Sequence, residues 1–529
     1  MELTYCIKVN TPDGPWENSG TIKGVHSLLR LHLTLPEGRL ESITASLPVK
    51  IGDEEKIFMN GYQTWTCCPE YGKHDRIRSL RRLPKKGVQH FGLDRYGDEH
   101  FLHYPDKRGQ THGESWCYFR DGKRFRLFGS LDERPGYTIF RYDAKKGVLS
   151  LERDCAGVRC GGDFAAFDLF YAEGGEDEVF DGWFAAMGVQ PRTRERLAGY
   201  SSWYNRYQDI SAQSIMDDLN GCARVLKRGD LFQIDDGWEP FVGDWLSTDA
   251  KKFPEGLRPF ADAIHKKGLK AGLWLAPFVA QTSSRLYHEH RDWFLLHEGE
   301  PWYCGSNWDG FYALDIDNPD FVAYLERTFD LVFNEWHFDL VKLDFLYAAA
   351  PYGNEKESRA GRMIRAMELL RRLCGDKLIL GCGVPVMPAF GLVDYCRVSC
   401  DVGLGWDGSP WIPRTLRERV STRQAIGNSI FRRQLNGRAY LSDPDVFFLR
   451  EDNIKLTWEQ KRILATVNSL FGGVLLCSDN MSAYTSEARA FYDELLRLRD
   501  AEDIEVHADG ELRVSYRLDG ETRELLIPD

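Results

Sequence analysis

The stretch that most constrains this chain begins near residue 190, where short apolar runs start to alternate with helix-length amphipathic ones. The apolar runs are YSSWYN (200–205), DLFQID (230–235), LKAGLWLA (269–276), DLVKLDF (339–345), KLILGC (377–382), YCRVS (395–399), RAYLS (438–442) and GVLLC (473–477). Between them lie helical patterns such as 211–227, 318–336 and 355–374, and Asn318–Pro319 is a good helix entry, a capping side chain followed by proline at the first helical position. Eight strands trailed by helices predict a (β/α)8 barrel. A doubly wound open sheet is the alternative, but no glycine-rich phosphate turn follows the first strand.

At 529 residues the chain exceeds what one core usually organises, so further domains are expected. Residues before about 185 carry alternating segments between Gly, Asp and Pro turns, for example RFRLFGSL (124–131) and YTIFRYD (137–143), the pattern of half-buried antiparallel strands. Alternation returns in the last fifty residues. The expectation is a multidomain α/β protein with three parts. An N-terminal antiparallel β-sandwich covers 1–188, a central (β/α)8 TIM barrel 189–478, and a short C-terminal β appendage 479–529.

A barrel of this kind gathers its chemistry at the carboxyl ends of its strands. There the chain places Asp235–Asp236, Trp274, Lys342–Asp344, Cys382, and a sixth run from Arg397 to Asp401. Lys342 and Asp344 are two residues apart on one strand, so they share a face. Two charges in the apolar run LVKLDFLY need compensation, either as a structural ion pair or as a site. Matching groups at the neighbouring strand ends favour a site. Carboxylates, cations and aromatics together suit a sugar, whose hydroxyls need charged partners and whose apolar face needs rings.

These blocks resemble the clan D glycoside hydrolases, most closely the bacterial single-subunit α-galactosidases of glycoside hydrolase family 36. The likeness runs in order through SSWYNRY, LFQIDDGWE, GLWLAPF, LVKLDFLYAAA, LILGCGVPVMPAFGLVDYCRVSCD and LSDPDVFFLRE, about residues 200–452, with GYQTW (61–65) upstream. It implies a retaining, exo-acting α-galactosidase with Asp344 as nucleophile and Asp401 as acid/base. Asp235, Asp236, Lys342, Arg397, Cys382, Trp274, Trp65, Trp203 and Tyr204 are implied to bind the sugar. Asp407 in GWDG is the rival acid/base. Trp65 is left to serve either its own barrel or a neighbour's. The C-terminal region is shorter than in longer family members. An α-N-acetylgalactosaminidase or an α-galactosyl transferase of the same family is the alternative, and a Schiff-base lyase built on Lys342 a remote one.

Other chemistries find less support. The net charge of −12 argues against a nucleic-acid surface, and the basic stretch RIRSLRRLPKK (76–86) reads as a solvated face. His288, Glu289 and His290 lack the spacing of a zinc site, and neither a metal nor a cofactor is expected. Thirteen cysteines without a repeating spacing, no signal-type N-terminus and no membrane-length apolar run predict a cytoplasmic protein. The expected partner is an α-galactoside, with self-association left open and neither nucleic acid nor membrane involved.

Overall fold

The computed structural model describes residues 2–408 and 412–528. The N-terminal sandwich is made by one 11-stranded antiparallel sheet that curls back on itself. Its spine is the 21-residue strand Leu28–Pro48. Register shifts at Lys8/Val9, Cys160/Gly162 and Ala165/Phe167 bend the sheet beside this spine. The curl brings Phe119 against Tyr142, edge to face with ring centres 4.8 Å apart, inside a core with Ile57, Met59 and Phe140.

Eight parallel strand positions form the barrel. They are Leu197–Ser201, Leu231–Ile234, Lys270–Leu275, Leu340–Leu343, Leu378–Gly381, Tyr395–Arg397, the pair Leu441–Asp443 and Val446–Phe447, and Val474–Cys477. The seventh position is interrupted at Pro444–Asp445. Its first half pairs with the sixth strand, its second half with the eighth, and the eighth with the first, which closes the ring. Proline supplies no N–H to a ladder, so the break falls where the sequence puts it. Most of these strands are buried on both faces, which explains their continuous apolar character.

Helix entries follow side-chain capping. The Ser211 hydroxyl accepts from the Ser214 amide, and Asn318 Oδ1 accepts from the Asp320 and Phe321 amides. The helix Pro319–Asp330 runs on into a wider π-helical turn, Leu331–Glu335.

Two boundaries differ from expectation. The first strand lies three residues earlier than 200–205, because Ser202 ends it. The Ser202 amide donates to the Gln233 carbonyl, its hydroxyl accepts from the Asp235 amide, and Trp203–Arg206 then form a short helix at the mouth. The C-terminal part opens with a helix, Ser486–Leu498, before its three strands, Glu502–His507, Arg513–Leu518 and Glu521–Leu526. Tyr492, Leu495, Val514 and Leu518 share the barrel's hydrophobic core, so this region leans on the barrel. Among the described residues no helix is long and apolar enough to cross a membrane.

Candidate active site

The strand ends converge as the barrel geometry demands. Lys342 Nζ donates to Asp235 Oδ2 at 3.0 Å, and Asp235 also accepts from the Gln233 amide at 2.8 Å and the Ser201 hydroxyl at 3.4 Å. Lys342 therefore has its direct ion pair with Asp235 at the end of the second strand, not with Asp344 on its own. Burial opposes the Lys342 charge, yet Asp235 and then Asp344 outweigh it and hold the ammonium above its ordinary range. An amine so held is a poor nucleophile, which weighs against Schiff-base chemistry.

Asp344 sits just past its strand, where its two oxygens accept from the Trp274 indole at 3.2 Å and the Phe345 amide at 2.9 Å. Burial raises its carboxyl above the usual range. Lys342 pulls it down, and Asp401 pushes it up again. Lys342 thus favours the ionised carboxylate without overcoming the burial. Asp236 Oδ2 accepts from the Gln208 amide at 2.9 Å and the Trp308 indole at 3.0 Å.

The opposite wall is organised by Arg397, which is buried among three carboxylates. It reaches Asp401 at 2.7 Å, Asp443 at 3.2 Å and Asp445 at 2.9 Å. Asp401 is the open member, its side chain 38% exposed where Asp443 and Asp445 are buried. Burial pushes Asp445 up to about 6 against the pull of Arg397. Asp407 is bound to Arg419 at 2.6 Å and to the Ser421 hydroxyl at 3.1 Å. It does not line the cavity, whereas Asp401 does.

That cavity holds about 670 Å³. Its inner wall includes Asp235, Asp236, Trp274, Lys342, Asp344 and Asp401, with Trp203 and Trp65 beside them. Three expected residues stand behind the wall. Arg397 holds the acidic cluster. Tyr204 is buried with its hydroxyl donating to Asp445 at 2.7 Å. Cys382 is buried beneath Trp65, whose indole donates to its sulfur at 3.4 Å, and burial pushes the thiol far up.

Trp65 comes from the same chain's N-terminal region. The loop that carries it is clamped by buried Arg432, which donates to Asn60 Oδ1 at 2.9 Å and to the Gln63 and Thr64 carbonyls at 3.1 and 2.7 Å. Opposite Trp65 the backbone of Gly383 has φ +56°, and a Cβ there would stand 2.7 Å from the indole. Only glycine fits.

Sequence reading did not find Trp308, Phe345 or the segment 83–93, all of which line the cavity. Trp308 stands in SNWDG between strands, without a strand end to mark it. Leu83, Pro84 and Val88 lie within or just beyond the basic stretch assigned to solvent, whose charges stay outside while its apolar residues face the mouth. His288–His290 take other partners: Glu289 pairs with Arg285, and His290 stacks on Trp293. Among the described residues no cluster of three metal-type ligands occurs. All thirteen cysteines are unpaired.

A carboxylate-rich, aromatic-lined pocket at the mouth of a barrel, with a loop of the N-terminal region beside it, has the chemistry to hold a sugar. The Melibiase family model matches residues 190–367. An α-galactosidase of Escherichia coli is 27% identical over 192 residues, 34% of this chain and 26% of that protein. Alpha-galactosidase Mel36A of Lactobacillus acidophilus is 44% identical over 105 residues, 18% of this chain and 14% of that protein. The chain thus spans about a quarter or less of the length of these curated relatives. A solved structure covers far more. The α-galactosidase of Thermus thermophilus bound to p-nitrophenyl α-D-galactopyranoside superposes with a TM-score of 0.73 at 27% identity, covering 94% of this chain and 98% of that one. The Lactobacillus brevis enzyme, 16% identical with a TM-score of 0.62, shares the fold. The likeness to the Melibiase family model is thus confined to residues 190–367, while the fold of nearly the whole chain is shared with the Thermus thermophilus α-galactosidase.

Proposed function

We propose that this protein is a retaining, exo-acting α-galactosidase that removes terminal α-linked galactose from oligosaccharides or glycoconjugates. The observation that carries the reading is that Asp344 and Asp401, from the ends of the fourth and sixth strands, line one cavity from facing walls. In this reading Asp344 attacks the anomeric carbon. Its position, fixed by the Trp274 indole and the Phe345 amide, leaves the carboxylate aimed without freedom to swing. Asp401, the open carboxyl at the rim, protonates the departing oxygen and then takes a proton from water, so that two displacements restore the α-anomer. Asp235 and Asp236, held by Lys342, Gln233, Gln208 and Trp308, accept from the sugar's hydroxyls. Trp65 and Trp274 face the apolar side of the ring.

The resemblance to the family's galactosidases at Cys382 favours a free 2-hydroxyl over an N-acetyl group, which needs added room. Two likenesses agree with the assignment: a Thermus thermophilus α-galactosidase complex with stachyose, and a Geobacillus stearothermophilus enzyme complex with raffinose. The test is a panel of p-nitrophenyl α-galactoside, α-N-acetylgalactosaminide and α-glucoside, with the first-formed anomer followed by NMR. The galactoside is expected to be hydrolysed fastest with an α-product. Negligible galactoside turnover would sink the activity, and a β-product the double displacement.

A further inference from the structure

The cavity has an outer half whose chemistry differs from that of the sugar site. Asp235 and Asp344 at its floor are 1% and 7% exposed, whereas Phe91 and Val420 at its mouth are 54% and 38% exposed. Two separate segments build this mouth. Leu83, Val88 and Leu93 come from the N-terminal region, and Leu416 and Val420 from the loop after the sixth barrel strand. Val88 and Leu416 pack with Leu80 as a small cluster of their own, apart from the barrel core.

The polar side chains among them are largely committed to the protein. The Ser306 hydroxyl donates to the Phe91 carbonyl at 3.2 Å. Arg419 holds Asp407 at 2.6 Å and the Arg414 carbonyl at 3.0 Å. One Glu418 oxygen accepts from the Thr66 hydroxyl at 2.7 Å and the Asp98 amide at 3.1 Å. Asn307 is the remaining amide. A second sugar buried here would lose water from many hydroxyls and find few replacements, whereas hydrocarbon would gain from leaving water.

We infer that the outer cavity is the leaving-group site for an alkyl chain, so that the preferred substrates are galactosides of lipid type rather than galactosyl sugars. Among the described residues, the exposed apolar end of the wall is aliphatic apart from Phe91, with Tyr96, Trp308 and Phe311 less exposed, which suits a flexible chain better than a planar ring. The site is continuous with the catalytic cavity, so a chain leaving the anomeric oxygen enters it directly. This inference rests on the galactoside reading of the inner site.

The test compares kcat/KM for methyl, butyl and octyl α-galactosides, benzyl α-galactoside and melibiose, all below their aggregation concentrations. These leaving groups are alcohols, so differences report binding rather than leaving-group activation. Octyl is expected to exceed methyl by about tenfold, a fraction of what full burial of seven methylenes could supply, and to exceed melibiose. Phe91→Ser is expected to cut the octyl-to-methyl ratio at least threefold by a similar argument about lost apolar contact, with Val420→Ser as an independent second variant. A flat series with melibiose equal or better would overturn the proposal while leaving the galactosidase reading intact. Benzyl above octyl would overturn the alkyl assignment. A flat series together with a smaller assembly in Phe91→Ser, seen by light scattering, would assign the mouth to a second copy instead. No cleavage of any galactoside, methyl included, would strike the inner-site reading itself.

Discussion

At the cavity floor Asp236 turns one carboxylate oxygen to the Gln208 amide and the Trp308 indole, and the other, Oδ1, into a buried position without a donor. The buried Glu239 carboxyl is its neighbour there. Two carboxylates so placed cannot both ionise, and burial followed by the Asp236 charge pushes Glu239 well above its ordinary range. In the proposed reading, Glu239 is the neighbour that keeps Asp236 an acceptor for the sugar. Glu239→Ala is expected to raise KM for p-nitrophenyl α-galactoside about tenfold, a charged hydrogen bond's worth, whereas Glu239→Gln, whose amide can donate in the same place, keeps it within about threefold. Equal losses in both variants would show that the side chain serves packing alone. Asp344 gives the complementary case. Asp344→Asn is expected to lower kcat by roughly 10⁴-fold or more without lowering the melting temperature, because it removes a buried charge and leaves Lys342 its pair with Asp235. A destabilised but active variant would restore the core ion-pair reading of this strand.

Elements made the strand-end chemistry legible and its surroundings opaque. Parity on one strand was enough to set Lys342 and Asp344 on a common face, and the neighbouring strand ends named their company. Which carboxylate pairs with Lys342 is decided across strands, by side-chain reach between Asp235 and the fourth strand, and no single segment encodes it. Trp308 and the wall at 83–93 escaped because they join the cavity through loops more than two hundred residues apart in the chain, as Phe91 and Ser306 do. The Trp65 loop illustrates how such a contact is held. Arg432→Met would remove five or more hydrogen bonds from buried backbone and Asn60, at an expected cost of about 3 kcal/mol in unfolding by denaturant. KM should rise with it as Trp65 loses its seat. Gly383→Ala should raise KM with a smaller stability loss, since it strikes the indole directly. A Gly383→Ala enzyme with unchanged KM would mean that Trp65 does not touch the sugar.

For the molecule as a whole, the joint between the N-terminal region and the barrel contributes one pH-dependent element of stability. His100 Nε2 donates to the Pro351 carbonyl of the barrel at 2.8 Å, and burial, with Arg359 nearby, lowers the ring from 6.5 to about 4. Because the folded value lies below the unfolded one, this contribution is complete above pH 6.5 and is lost as pH falls toward 4. Its full size is about 3 kcal/mol. His100→Gln, which can keep the bond without titrating, should flatten the stability–pH curve over that window, and an unaltered slope would place the acid sensitivity elsewhere.

The tryptophan beneath which Cys382 is buried arrives on a loop of the same polypeptide, pinned by an arginine of the same barrel. Each molecule therefore supplies its own Trp65 to its own pocket, and specific activity is expected to be indifferent to dilution. Whatever assembly the protein forms, a single subunit at nanomolar concentration is expected to turn over as fast as one in a crowd.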